Sequence, residues 1–64
     1  MKIKRSETYG SFVKRVRLGA KLTQTEFAHR LGFTYQTISN WERGVTQVPL
    51  HSQRVVDEFA KKIK

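Results

Sequence analysis

With 64 residues the chain holds one domain at most, and a chain this small buries only about 60% of the surface its unfolded form exposes. It has no cysteine, so neither a disulfide framework nor a cysteine zinc site can staple it, and two histidines, His29 and His51, are too few and too far apart for a metal site. Thirteen Lys and Arg against five Asp and Glu give a formal net charge of +8, which favours a polyanionic partner (nucleic acid or anionic membrane) but also suits plain solubility.

No apolar run approaches the roughly 18 residues of a membrane span. The start, Met1 to Arg5, has the charge of a signal peptide's first region, but no apolar region follows. Absence of cysteine fits a cytoplasmic protein. Five acids scattered over a basic domain form no triad and no paired carboxylates, so the chain reads as a non-enzyme with no cofactor. Folding must rest on one compact apolar core, which at this size is best built from helices.

In chain order, residues 1–7 carry Lys2, Lys4 and Arg5 with one apolar residue, Ile3, and read as a mobile basic arm. It is either a frayed terminus or a phosphate or minor-groove contact. Residues 8–64 form the domain. The first helix is predicted from Glu7 or Thr8 to about Ala20, with Ser6 as N-cap. Tyr9, Phe12, Val13, Val16 and Ala20 recur at three- and four-residue steps and make its buried stripe. Gly10 sits in the first turn, where a close approach by another element would require it.

The second helix is predicted from Gln24 to Leu31. Thr23 and Glu26 are spaced as a capping box, Phe27, Ala28 and Leu31 face inward, and Gly32 supplies a terminating positive φ. Leu22 and Phe33 plug its two ends. The third helix is predicted from Tyr35 to Arg43, with Thr34 as N-cap and Gly44 just past the end. Ile38 and Trp41 face inward, leaving Tyr35, Gln36, Ser39, Asn40 and Arg43 outside. That outer face carries amides, a hydroxyl and a phenol but no carboxylate, whereas a merely solvated face commonly mixes Lys with Glu. Planar amides suit bidentate reading of adenine edges. After a loop from Val45 to Val48, Pro49 fits the first position of a fourth helix that runs to about Lys62. Val55, Val56, Phe59 and Ile63 are its inward residues, and Lys61, Lys62 and Lys64 suit its negative end.

Two short helices joined at Gly32 have the pattern of a helix-turn-helix, which places its second helix in the major groove of DNA. Counting Gln24 as the first residue of the motif, Ala28 is fifth, Gly32 ninth, Ile38 fifteenth and Trp41 eighteenth. At these positions, and in Leu22 to Ala28, Leu31-Gly32 and Ile38 to Gly44, the chain resembles the lambdoid phage repressors and Cro proteins of the bacterial XRE-type family. Tyr9, Gly10, Val13, Val16 and Arg17 extend the resemblance, which covers about residues 8–60.

The resemblance implies an all-α, lambda-repressor-like domain of four or five helices. It implies a transcriptional regulator of double-stranded DNA, a repressor of phage, plasmid or mobile-element type, acting in the bacterial cytoplasm at the nucleoid. An ion pair between Arg17 and Glu42 is implied, mainly structural, with Arg17 also able to present a guanidinium to a phosphate. Phosphate contacts are expected from Gln24, whose free N–H groups and amide open the second helix, and from Arg43, Thr46 and Gln47, with Ser39 near the backbone. The loop departs from several phage relatives, having Val45 and Val48 where they carry Lys or Arg, so its contacts are weaker or made by backbone N–H. Base reading falls to Tyr35, Gln36 and Asn40, with Thr34 offering its methyl to a thymine. The Tyr35 ring packs on thymine methyl groups or its hydroxyl reaches a phosphate. His29 and His51 read as ordinary surface residues.

Two other classes share the module. Antitoxins and co-activators use it chiefly to bind protein, in which case exposed Leu18, Val45 and Val48 mark the partner surface. A sequence-indifferent nucleic-acid binder would rely on charge alone. Palindromic operators call for a dimer. Many relatives dimerise through a fifth helix, and only four are predicted here, so either a homodimer is weak or induced by DNA, or the domain acts as a monomer.

Overall fold

The apolar spacing becomes four helices: α1 (Tyr9–Gly19), α2 (Gln24–Leu31), α3 (Tyr35–Arg43) and α4 (Leu50–Lys62). The computed structural model describes residues 2–63, and no strand occurs among them. Met1 of the basic arm and Lys64 of the C-terminal lysines lie outside the described residues.

The first three helices end alike. At each, the N–H of a left-handed residue and of its successor turn back onto carbonyls of the last turn. Phe33 N–H reaches the Ala28 carbonyl at 2.8 Å and Val45 N–H the Asn40 carbonyl at 2.9 Å, with Gly32 and Gly44 at φ +81° and +76°. Leu22 N–H closes α1 onto the Arg17 carbonyl at 3.2 Å, but there the left-handed residue is Lys21, at φ 59°. Glycine stands two residues earlier, inside the helix.

The starts of the same three helices are built from side chains. Thr23 Oγ1 accepts from Glu26 N–H at 3.1 Å while Glu26 Oε1 accepts from Thr23 N–H at 2.8 Å, completing the expected capping box. Thr34 caps α3, as expected. The α1 cap is Thr8, not Ser6, and its hydroxyl oxygen accepts from Ser11 N–H at 3.1 Å. Ser6 is taken into a turn in which Glu7 N–H meets the Lys4 carbonyl at 3.0 Å. Pro49 is extended, at ψ 153°, and is the cap of α4 rather than its first helical residue.

Phe12, Val13, Val16, Phe27, Ala28, Ile38, Trp41, Val48, Val56 and Ala60 make the core, with Tyr9, Leu22, Leu31, Phe33, Phe59 and Ile63 packed around it. Complete burial of a side chain such as Phe27 or Ile38 contributes about 1.5–3 kcal/mol. Phe33 closes on Trp41 and Phe59 on Phe27, both edge-on, with ring centroids 5.0 and 5.3 Å apart.

Two apolar expectations are corrected. Val48 is 7% exposed and belongs to the core, whereas Val55 is 37% exposed. The inward stripe of α4 is Ser52, Val56 and Ala60, at four-residue steps one residue out of phase with Val55. Small side chains on that stripe hide it from a hydropathy reading.

The α3 backbone comes closest to α1 and α2. Gly10 meets the Trp41 carbonyl so closely that a Cβ on Gly10 would overlap its oxygen and stand 3.1 Å from its carbon. The Tyr9 hydroxyl ties α1 to α4, sharing its proton between the Gln53 carbonyl, 2.9 Å away, and the Asp57 carboxylate.

Candidate nucleic-acid interface

The candidate site is the outer side of α3 with the start of α2 and the loop after α3 beside it. Its orientation is set by a polar clamp beneath the helix. Arg17 Nε donates to Glu42 Oε2 at 2.8 Å and Nη2 to Oε1 at 3.1 Å, a two-pronged pair joining α1 to α3. Arg17 Nη1 donates to the Leu22 carbonyl at 2.9 Å, and Gln24 Nε2 donates to Glu42 Oε1 at 3.0 Å. One carboxylate thus collects donors from α1 and α2. The Arg17 and Glu42 side chains are 11% and 3% exposed, and no buried side-chain polar atom among the described residues lacks a partner.

Two residues of the clamp carry sequence expectations. Arg17 is buried with all three guanidinium nitrogens engaged within the domain, in the ion pair with Glu42 expected of it. Gln24 spends one amide hydrogen on Glu42. It retains the other, together with the backbone N–H groups that the first turn of α2 leaves without helical partners.

Because Glu42 points inward, the single carboxylate of α3 is absent from its outer face. Gln36, Asn40 and Arg43, at four- and three-residue steps, form one strip there. They are joined: Asn40 Oδ1 accepts from Gln36 Nε2 at 2.9 Å and from Arg43 Nη2 at 3.0 Å. Tyr35 lies on the flank of the strip, 51% exposed. Thr34 is exposed at the cap, but its hydroxyl is occupied by Thr37. Thr46 and Gln47 are exposed in the loop that follows. Ser39 is the correction on this helix. It is 7% exposed, on the flank leading into the core, and does not share the outer face with its neighbours.

The arm is not free of the domain. Arg15 Nε and Nη2 each donate to a Glu7 carboxylate oxygen at 3.0 Å, and Nη2 also reaches the Lys2 carbonyl. The Arg15 guanidinium lies over the Phe12 ring, 5.3 Å from its centroid. Arg15 projects from the side of α1 opposite Gly10 and Arg17, which face α3. Residues 2–7 therefore run along the side of α1 turned away from α3, and the phosphate or minor-groove contact expected of them is not on the α3 side.

Four groups have shifted proton affinities, among them Arg15, raised by its hydrogen bond to Glu7. Hydrogen bonding to Arg15, then to the Lys4 N–H, holds the Glu7 carboxyl below its ordinary range. The Thr23 N–H and hydroxyl do the same for Glu26. Burial, then the neighbouring Asp57, pushes the Tyr9 phenol well up. None of these groups is on the α3 strip. Among the described residues no three of His, Cys, Asp or Glu come together.

A helix-turn-helix family model matches residues 13–51, from the middle of α1 into the start of α4. The chain belongs to the XRE-type helix-turn-helix family. No curated protein and no solved structure matches it. Family membership makes the four-helix fold lambda-repressor-like and the chain a DNA-binding regulator. No helix among the described residues is long and apolar enough to cross a membrane. The matched segment contains the whole clamp and the whole outer strip of α3.

Proposed function

We propose that the chain is a sequence-specific transcriptional repressor of phage, plasmid or mobile-element type that sets α3 into the major groove of double-stranded DNA. The observation that carries this reading is the inward turn of Glu42. It fixes α3 to α1 and α2 and leaves a strip of amides and one guanidinium facing out. Such a strip offers donors and acceptors matched to base edges and no charge that repels phosphate.

Gln36 reads an adenine, and Asn40 and Tyr35 lie beside it on the groove floor, with Thr34 at the entry. Gln24, through its backbone N–H groups and remaining amide hydrogen, meets one phosphate at the positive end of α2. Arg43, Thr46 and Gln47 meet a second phosphate run. Two copies occupy a palindromic operator as a weak or DNA-induced dimer, at the nucleoid in the cytoplasm. A protein-binding role of the antitoxin or co-activator kind has less support, because Val48, one of its three surface markers, belongs to the core.

A salt titration on a duplex selected from a random pool and on an unrelated duplex tests the reading. Sequence-specific binding keeps an affinity ratio of about 10³ or more at physiological salt. A steep salt slope with no ratio would instead identify binding by charge alone.

A further inference from the structure

Asn40 is the hub of the α3 strip, and its chemistry is lopsided. A carboxamide has one acceptor oxygen and two N–H donors. The Asn40 oxygen accepts from both Gln36 and Arg43, at 2.9 and 3.0 Å, one turn before it and just under one turn after it. To read adenine with two bonds, Asn40 must offer that oxygen to the base, and with both lone pairs already taken at least one of these contacts would have to give way. Gln36 is in the complementary position. It has given one Nε2 hydrogen to Asn40 and keeps the other, along with a free Oε1, and a free donor and acceptor side by side are what an adenine edge requires.

We infer that Asn40 is a positioning residue rather than a base reader: it braces Gln36 and Arg43 along α3 so that both meet DNA in a set orientation. The inference rests on the proposed reading of DNA by α3. Ordering a flexible side chain before contact saves roughly three- to tenfold in affinity. Asn40 therefore acts on two neighbours at once, an adenine-reading amide and a phosphate-binding guanidinium.

The test compares wild-type protein with Asn40→Ala, Asn40→Asp, Gln36→Ala and the Asn40→Ala/Gln36→Ala double variant on the selected duplex and on each of its single base-pair substitutions. Asn40 is off the core, and thermal melts check that each variant folds. Asn40→Ala is expected to weaken binding about three- to tenfold or more and to lose preference at the base pair where Gln36→Ala loses it. The double variant is expected to be little worse than Gln36→Ala at that base pair. Asn40→Asp retains an acceptor for both donors, so it is expected to lose affinity evenly and keep the preference. Loss of preference at a different base pair, additive losses of preference at the Gln36 base pair, or a new preference in Asn40→Asp would overturn the inference and leave base reading by Gln36 standing. Gln36→Ala with equal losses on every duplex would overturn both.

A readout without DNA separates the two further. In the free protein, the Gln36 side-chain amide is expected to show a higher NMR order parameter in the wild type and in Asn40→Asp than in Asn40→Ala. Equal order in all three would contradict the brace even where DNA binding is specific.

Discussion

Gly10 lies flush against the carbonyl of Trp41, with no room for a Cβ between α1 and α3. In an open helix, replacing glycine by alanine gains about 1 kcal/mol. Here the added methyl meets backbone, which cannot rotate away, so α1 must shift from α3. Gly10→Ala is expected to destabilise the domain by about 2–3 kcal/mol, read by urea unfolding. A variant as stable as the parent would mean that the helices do not touch in this way.

The Arg17–Glu42 pair is the second support of α3. Removing either side chain strands a nearly buried charge, so Arg17→Ala or Glu42→Ala is expected to cost about 3–5 kcal/mol. That is a large share of what a domain of this size has. Replacing both by Met and Leu should recover most of the loss, since the expense lies in the unpaired charge. Single variants losing under about 1 kcal/mol would describe an exposed pair instead.

At Lys21 the chain holds a side chain where the matching residues after α2 and α3 are glycines. A left-handed conformation costs an L-residue roughly 1–2 kcal/mol. Lys21→Gly is expected to stabilise by about 0.5–1 kcal/mol, after the extra entropy of unfolded glycine is subtracted. For a domain this small that is a rise of about 2–8 °C in Tm. A lower Tm would show that the lysine side chain holds the turn.

Acid should weaken the fold through Glu7 and Glu26. Both ionise below the ordinary 4.5 when folded, so the unfolded chain takes up protons first as pH falls. Their stabilisation is fully present above 4.5 and is lost as pH falls through the folded values. Urea midpoints taken downward from about pH 6 should be flat and then fall, and Glu7→Gln and Glu26→Gln should each reduce the fall. Tyr9 has the opposite sign: its contribution is present below 10 and fades as pH rises beyond it.

The bounds of α2 and α3 were legible in the sequence because their signals are local. A capping box, a threonine cap and two glycines each act within a few residues. The start of α1 was not, because in isolation Ser6 is the better cap residue than Thr8, which the fold uses. The Lys4–Glu7 turn and the Glu7–Arg15 tie accompany the choice of Thr8, and Arg15 lies eight residues beyond Glu7. On α4 Val56, Phe59 and Ile63 were legible as inward, whereas Val55 was misplaced and Ser52 and Ala60 were missed, since these two carry little hydropathy but fit close packing. The strip of α3 was legible as a set, except for Ser39, small enough to sit on the buried flank. Family resemblance supplied the Arg17–Glu42 pair. The bonds from Gln36 and Arg43 to Asn40 had a signal in their helical spacing. The Gln24–Glu42 bond had none, since it joins two helices whose approach only the fold sets.

The proposed repressor role depends above all on Gln36 of α3 reading an adenine in the major groove. The most direct test pairs Gln36→Ala with a duplex carrying 7-deazaadenine at the base pair concerned, which removes the N7 acceptor and little else. Each change alone is expected to cost about 1–3 kcal/mol of binding, and the two together little more than one. Additive costs, or a Gln36→Ala loss that is the same on every duplex, would mean that Gln36 does not read that adenine.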